Sequence, residues 1–361
     1  MKLTYLVGAA SLASALALPA PSPDLDSDIL DALLAAPAPA ILGPEPDDYN
    51  VSAPAYSANS ATAVVHDTVD PDSTVQKRTD TQCTPLPQGA GPVPQPDTAE
   101  AFLADGDLSS TANNAQTPDG WVLAFQNKQG STQQAGYRGL YTMNSYSPSD
   151  CAAECAKDKY CQAFNVYFER DPSIRAGPDC ADPPSTTLIK CTFYGFKISA
   201  ETATNVGQYQ QDFHVVIAGS NGYNKATYTP PTLDGFTSLG ATPNGGAIED
   251  PSYYLYELYN QVFDPAACAK GCLANTKGNM QRAKPGESYV TCKFFNAYVL
   301  YRDNNPVGTV CSYFKSSHKP HFMIKKNNCK PQDITNQGTN VGQWQGKVHV
   351  TVGSSYTYKL T

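Results

Sequence analysis

An α+β protein is expected from this sequence: two homologous, disulfide-stapled domains, each a small antiparallel sheet covered by one short helix, behind a disordered N-terminal prosegment. Three observations lead there. A cysteine-bearing helical stretch followed by an aromatic strand is written twice. The first copy is Ser147-Pro148-Ser149-Asp150-Cys151, then Cys155, then Cys161-Gln162-Ala163-Phe164-Asn165-Val166-Tyr167. The second is Asp264-Pro265-Ala266-Ala267-Cys268, then Cys272, then Cys292-Lys293-Phe294-Phe295-Asn296-Ala297-Tyr298. Eleven cysteines in 361 residues are too many for a reducing compartment unless they hold metal. The composition also changes abruptly at the dibasic pair Lys77-Arg78.

From the N-terminus, Lys2 precedes an apolar run over residues 3–16. Ala15-Leu16-Ala17 has the small-x-small form of a signal-peptidase site, so residues 1–17 read as a signal peptide cut after Ala17. The run is too short, and too rich in Ala and Ser, to anchor a membrane. With no other long apolar segment and a polar C-terminus, neither a membrane span nor a GPI tail is expected. The protein is expected outside the cell or in its wall.

Residues 18–78 are rich in Pro, Ala and Asp and contain no cysteine, which is the composition of a disordered propeptide. Lys77-Arg78 is where a processing protease is expected to cut. The sequon Asn50-Val51-Ser52 lies within this segment. Of 33 acidic residues ten precede residue 79, against three of 25 basic ones, so the remainder holds 23 acids and 22 bases. The net charge of −8 therefore belongs mainly to the propeptide, and neither nucleic acid nor an acidic membrane is implied as a partner. Residues 79–116, with Cys83 among Pro, Gln, Gly and Asp, read as a Pro-rich tether.

Two domains follow, at 117–220 and 232–355, with a linker at 221–231 and a tail at 356–361. Five matches in one order define them. Asp119-Gly120-Trp121 is echoed by Asp234-Gly235-Phe236, and the helix–strand unit is the second match. Cys191-Thr192-Phe193-Tyr194 is echoed by Cys311-Ser312-Tyr313-Phe314. Thr204-Asn205-Val206-Gly207-Gln208-Tyr209-Gln210 is echoed by Thr339-Asn340-Val341-Gly342-Gln343-Trp344-Gln345. Phe213-His214-Val215 is echoed by Val348-His349-Val350.

Each helix begins well. Ser147 and Asp264 are N-caps, and Pro148 and Pro265 occupy the first helical position. Cys151 and Cys155, like Cys268 and Cys272, share one helical face. The closing strand alternates. Tyr209, Gln211, Phe213, Val215 and Ile217 fall on a buried face, and Gln208, Gln210, Asp212 and His214 on a wet one. Trp344 and Tyr209 thus read as core. Asn165 and Asn296 read as buried polar groups bonded to backbone near the helix.

A helix with Cys-x-x-x-Cys, a Cys-opened aromatic strand and a Cys-x-aromatic strand resemble the PAN/apple domain family, here as the tandem pair of secreted fungal proteins. The resemblance covers both repeats. It implies the bridges Cys151–Cys191, Cys155–Cys161, Cys268–Cys311 and Cys272–Cys292. Cys83, Cys180 and Cys329 stand outside the pattern; Cys180 with Cys329 is one pairing among them, which leaves Cys83 unassigned. The resemblance also implies a non-catalytic module binding extracellular carbohydrate or protein.

No Gly-x-Ser-x-Gly elbow or phosphate loop occurs. No Cys-x-x-Cys knuckle occurs, and His318-Lys319-Pro320-His321 is too Pro-broken for a helical metal pair. No catalytic residue, metal or cofactor is expected. The candidate ligand contacts are His214 and His349, which match between repeats, and the clustered Tyr253, Tyr254 and Tyr256. A hydrolase on a disulfide scaffold and an adhesive wall component are the alternative functions.

Overall fold

The computed structural model describes residues 43–44, 49–50, 83–242, 245–248, 252–259, 262–316, 331–332 and 350–361. Two short helices come first, α1 (Ala99–Leu103) and α2 (Gly106–Asn114). They are followed by β1 (Trp121–Lys128), β2 (Tyr137–Met143), α3 (Pro148–Ala156), β3 (Ala163–Pro172), β4 (Ser185–Tyr194), β5 (Gly207–Gln210) and β6 (Phe213–Lys225). The second half holds β7 (Phe236–Ala241), β8 (Ala247–Ile248), β9 (Tyr253–Tyr259), α4 (Pro265–Arg282), β10 (Phe294–Arg302) and β11 (Asn305–Phe314). β12 (Pro331–Gln332) and β13 (Val350–Leu360) complete it.

Both sheets are antiparallel and share one strand order. The first runs β1-β6-β3-β4-β2, with β5 paired to the first part of β6; the second runs β7-β13-β10-β11-β9. Each helix caps as its sequence specifies: the Ser147 side chain accepts from Asp150 N, and that of Asp264 from Ala266 N. Cys151 bonds Cys191 and Cys155 bonds Cys161, and Cys268 bonds Cys311 and Cys272 bonds Cys292, the pairs that the family pattern implies. Each helix is thereby fixed over an apolar layer: Phe164, Val166, Phe168 and Ile189 in the first unit, Phe295, Ala297, Val299 and Tyr313 in the second. Such bridges compensate for small cores, each contributing about 2–4 kcal/mol.

The central strands share a further device. Asn165 Oδ1 accepts from Thr132 N at 2.8 Å, and its Nδ2 donates to Ser220 Oγ and Asn221 O, both at 2.9 Å. Asn296 Oδ1 accepts from Ile248 N at 2.9 Å, and its Nδ2 donates to Ser355 Oγ and Tyr356 O, both at 2.9 Å. The serines sit at register breaks in β6 and β13, beside left-handed residues Gly219 (φ 59°) and Ser354 (φ 50°). Both asparagines thus tie a bulge to the connection after the first strand of their sheet. They bond away from the helix, not near it, because in β3 the helix-side residues are Phe164, Val166 and Phe168.

Several expectations are corrected. The first sheet has no wet face at its centre: β3 is buried at all ten positions. Residues 79–116 are more than a tether. Phe102 and Leu108 join the first core, and Asp97 accepts from Ser185 N at 2.8 Å. Cys83 bonds Cys180, so Cys180 does not pair with Cys329, which lies outside the described residues. Strand β6 continues to Lys225, into the expected linker, and residues 356–361 belong largely to β13, where Tyr358 stacks on Phe295 at 5.0 Å. The second helix is not short: the residues inserted before Cys292 extend α4 to 18 residues.

The two units meet closely. Phe196, after β4, lies in the core of the second unit, and Phe263 N donates to Gly195 O at 3.3 Å. Tyr228 of the linker packs on Phe263 and Tyr356 at 4.9 and 4.8 Å.

Candidate binding face

The most exposed aromatic side chain of the first unit stands on a hairpin. β5 and β6 are joined at Gln211 and Asp212, with Gln211 in the left-handed region at φ 56°. A two-residue turn places Tyr209 directly opposite His214, so their side chains share a face. The rings lie parallel, with centroids 4.1 Å apart and planes 9° apart. Tyr209 is 67% exposed. The turn is the reason that Tyr209 is not core. Alternation through residues 209–217 as one strand puts Tyr209 with Phe213, but a reversal at 211–212 moves it to the face of His214. The signal in the sequence was the polar run Gln210-Gln211-Asp212 between two aromatic residues.

The platform is held from behind. Arg170, 4% exposed, donates through Nη1 to His214 O at 3.0 Å, and its guanidinium covers the Phe213 ring at 4.1 Å. Its Nη2 donates to Asp97 Oδ1 at 2.9 Å. Asp97 also accepts from Ser185 N and from Ser185 Oγ, the latter at 2.6 Å. Partial burial opposes the Asp97 charge, but the Ser185 bonds and the Arg170 charge outweigh it and hold the carboxyl below its usual range. The turn itself is pinned where Asp212 N and Phe213 N both donate to Ala181 O, at 3.1 and 3.0 Å. Ala181 adjoins Cys180, so the Cys83 bridge steadies the base of the hairpin. Gln208 and Gln210, opposite Val215 and Phe213 in the register, fall on the other face of the hairpin and not, as the alternation read from the sequence suggested, on that of His214.

The tyrosines nominated on the second sheet stand elsewhere. Tyr253, Tyr254 and Tyr256 lie on edge strand β9 and are all partly buried. Tyr253 meets Phe314 edge-on at 6.0 Å. Burial, then the charge of Glu257, raises the Tyr254 hydroxyl above its usual range. The structure does not bring this trio together with His214. His349, Trp344, His318, His321, Ala17, Lys77 and Arg78 lie outside the described residues.

Among the described residues no group of three or more His, Cys, Asp or Glu is placed to hold a metal ion. Nor is any described helix long and apolar enough to cross a membrane. One acidic group that sequence reasoning passed over is Glu257, 3% exposed, which accepts from the hydroxyls of Tyr259 and Tyr313 beneath α4. No family model matches the chain, and neither any curated protein nor any solved structure matches it.

Proposed function

We propose that this chain is a secreted, non-catalytic binding protein, a tandem of PAN/apple-like modules that recognises an extracellular glycan through the Tyr209–His214 hairpin. The observation that carries this reading is a flat, exposed tyrosine ring braced on a parallel imidazole. An aromatic ring held in place before binding gives up little conformational entropy on contact, and its open face suits the C–H surface of a sugar. The sequence repeats the same aromatic-to-histidine spacing at Trp344 and His349. Five disulfides support a location in an oxidising compartment.

The test is retention of the purified protein on insoluble chitin, β-glucan and extracellular matrix. Retention on a polysaccharide that Tyr209→Ala abolishes supports the reading. No retention on any polysaccharide, or equal retention by the variant, sinks it. Retention on matrix protein alone transfers the site to a protein partner.

A further inference from the structure

A second site lies on the opposite part of the first sheet. Asn165, Tyr167, Glu169 and Asp171 alternate along the face of β3 turned away from α3. Lys190 of β4 stands opposite Tyr167 in the register. Its ammonium pairs with Glu169 Oε1 and lies 3.7 Å from Asp171 Oδ2. Lys190, Glu169 and Asp171 are 2%, 6% and 5% exposed. Ion pairs this deeply buried add little stability compared with apolar residues of the same volume. Their presence here, with Tyr167 fully buried beside them, calls for another reason.

Gly89 covers one end of this face, where its amide donates to Thr186 Oγ1, and Thr132 the other, and the cover beside Lys190 comes from far away in the sequence. Tyr49 places its ring 6.0 Å from the Lys190 ammonium. The Thr142 amide of β2 donates to Asn50 Oδ1 at 2.9 Å, and the Thr142 hydroxyl donates to Tyr49 O. Gly43 lies against the loop between β1 and β2, where a methyl group built on it would stand 3.6 Å from Thr132 O. β2 is an edge strand, so its outward amides have no strand partner. Tyr49 and Asn50 take up such an amide and shield the charges at once.

The connection to the body is simple. Residues 1–78 contain no cysteine, and the first, Cys83, lies beyond Lys77-Arg78. No disulfide holds this stretch, and once the chain is cut at the dibasic pair only contacts such as those above retain it.

We propose that the β2 edge and the Lys190–Glu169–Asp171 group form a binding site for a peptide carrying a phenol ring, and that Tyr49 and Asn50 of this same chain are its occupant. The attraction combines an edge amide, an ammonium beside an aromatic face, and burial of the ring. In the uncut chain the occupant is tethered at high effective concentration. Cutting makes binding bimolecular and opens the site. This proposal is independent of the Tyr209 platform, which lies on another surface.

The experiment uses the full chain with a sequence-specific protease site in place of Lys77-Arg78. Cut protein, freed of its N-terminal fragment, and uncut protein are each titrated with a labelled synthetic peptide of residues 41–52. Melting curves check that both are folded. The expected result is saturable binding to cut protein and much weaker binding to uncut protein. A peptide with Tyr49→Ala loses about tenfold or more in affinity. Exchange at the Thr142 amide is faster in cut protein and slows when peptide is added. No saturable binding to cut protein, equal binding to both forms, or equal binding of the Tyr49→Ala peptide would overturn the proposal. Placing the changes in the peptide leaves the protein's own fold untouched.

Discussion

Gly271 has no side chain at the point where α4 crosses the buried carboxylate of Glu257: a Cβ there would stand 2.0 Å from Glu257 Oε2 and 2.1 Å from the Tyr313 hydroxyl. In an exposed helix interior, Gly→Ala stabilises by about 1 kcal/mol. Here the sign reverses. Gly271→Ala is expected to cost about 2–3 kcal/mol through overpacking and disturbed hydrogen bonds. Thermal melts check this, and Gly271→Ala combined with Glu257→Ala should be less than additive, because the second change removes one of the two obstacles and frees the Tyr313 hydroxyl to move.

The matched asparagines should each be costly to replace. Asn165→Ala leaves Thr132 N, Ser220 Oγ and Asn221 O without this partner in a fully buried setting. A loss of about 2–3 kcal/mol is expected, as is one from Asn296→Ala in the second sheet. Urea melts measure the loss. Hydrogen exchange should show faster exchange at Thr132 in the first variant and at Ile248 in the second.

The Tyr209 platform separates affinity from stability. Tyr209→Ala removes a ring that is two-thirds exposed, so a stability change within about 0.5 kcal/mol is expected. Retention on the preferred polysaccharide is expected to fall about tenfold or more. Phe213→Ala, by contrast, deletes a fully buried ring and should cost about 3–5 kcal/mol. A pair of melts beside a pair of retention assays distinguishes the two roles.

Acid should loosen the brace behind the platform first. The Asp97 carboxyl is held below its unfolded value of 3.8, so its contribution is fully present above that value. The contribution declines as pH falls towards the lower folded-state value. Protection of the amides in residues 83–97, taken relative to the intrinsic exchange rate at each pH, should therefore be high at pH 6 and fall below about pH 4. Asp97→Asn should show lower protection at pH 6 and lose most of this dependence. A wild-type profile that is flat in acid counts against the brace.

The Cys83–Cys180 bridge closes a loop with a sequence separation of 97. Loop-closure entropy puts its contribution at about 4–5 kcal/mol as an upper bound. Cys83→Ser with Cys180→Ser should lower the melting temperature and quicken exchange at Asp212 and Phe213, whose amides bond Ala181. Peptide mapping of the native protein should recover the Cys83–Cys180 linked pair.

Much of this protein is legible in its sequence because the signals are local. Ser147, Pro148 and the Cys151/Cys155 spacing specify a helix and its inward face, and the second copy supplies an independent reading of the same signals. Less legible is anything resting on one reversal of the chain. A two-residue turn at Gln211 and Asp212 exchanges the faces of Tyr209 and Phe213, since strand parity has a period of two. Composition misled in the same way at residues 79–116. Pro, Gly and Gln suggest a tether, yet Phe102 and Leu108 suffice to dock two short helices on β6.

By itself the sequence determined the doubled α+β plan, the helix caps, the half-cystine positions and the composition break at Lys77-Arg78, because each depends on neighbours within a few residues. Only the tertiary structure decided that Cys83 joins Cys180, that Tyr209 faces solvent against His214, and that Tyr49 lies over Lys190. These are meetings of segments brought together by the register of a sheet and the path of a loop. Spacing along the chain carries no record of such distances, because they are set when β3, β4 and β6 pair and their two faces are covered.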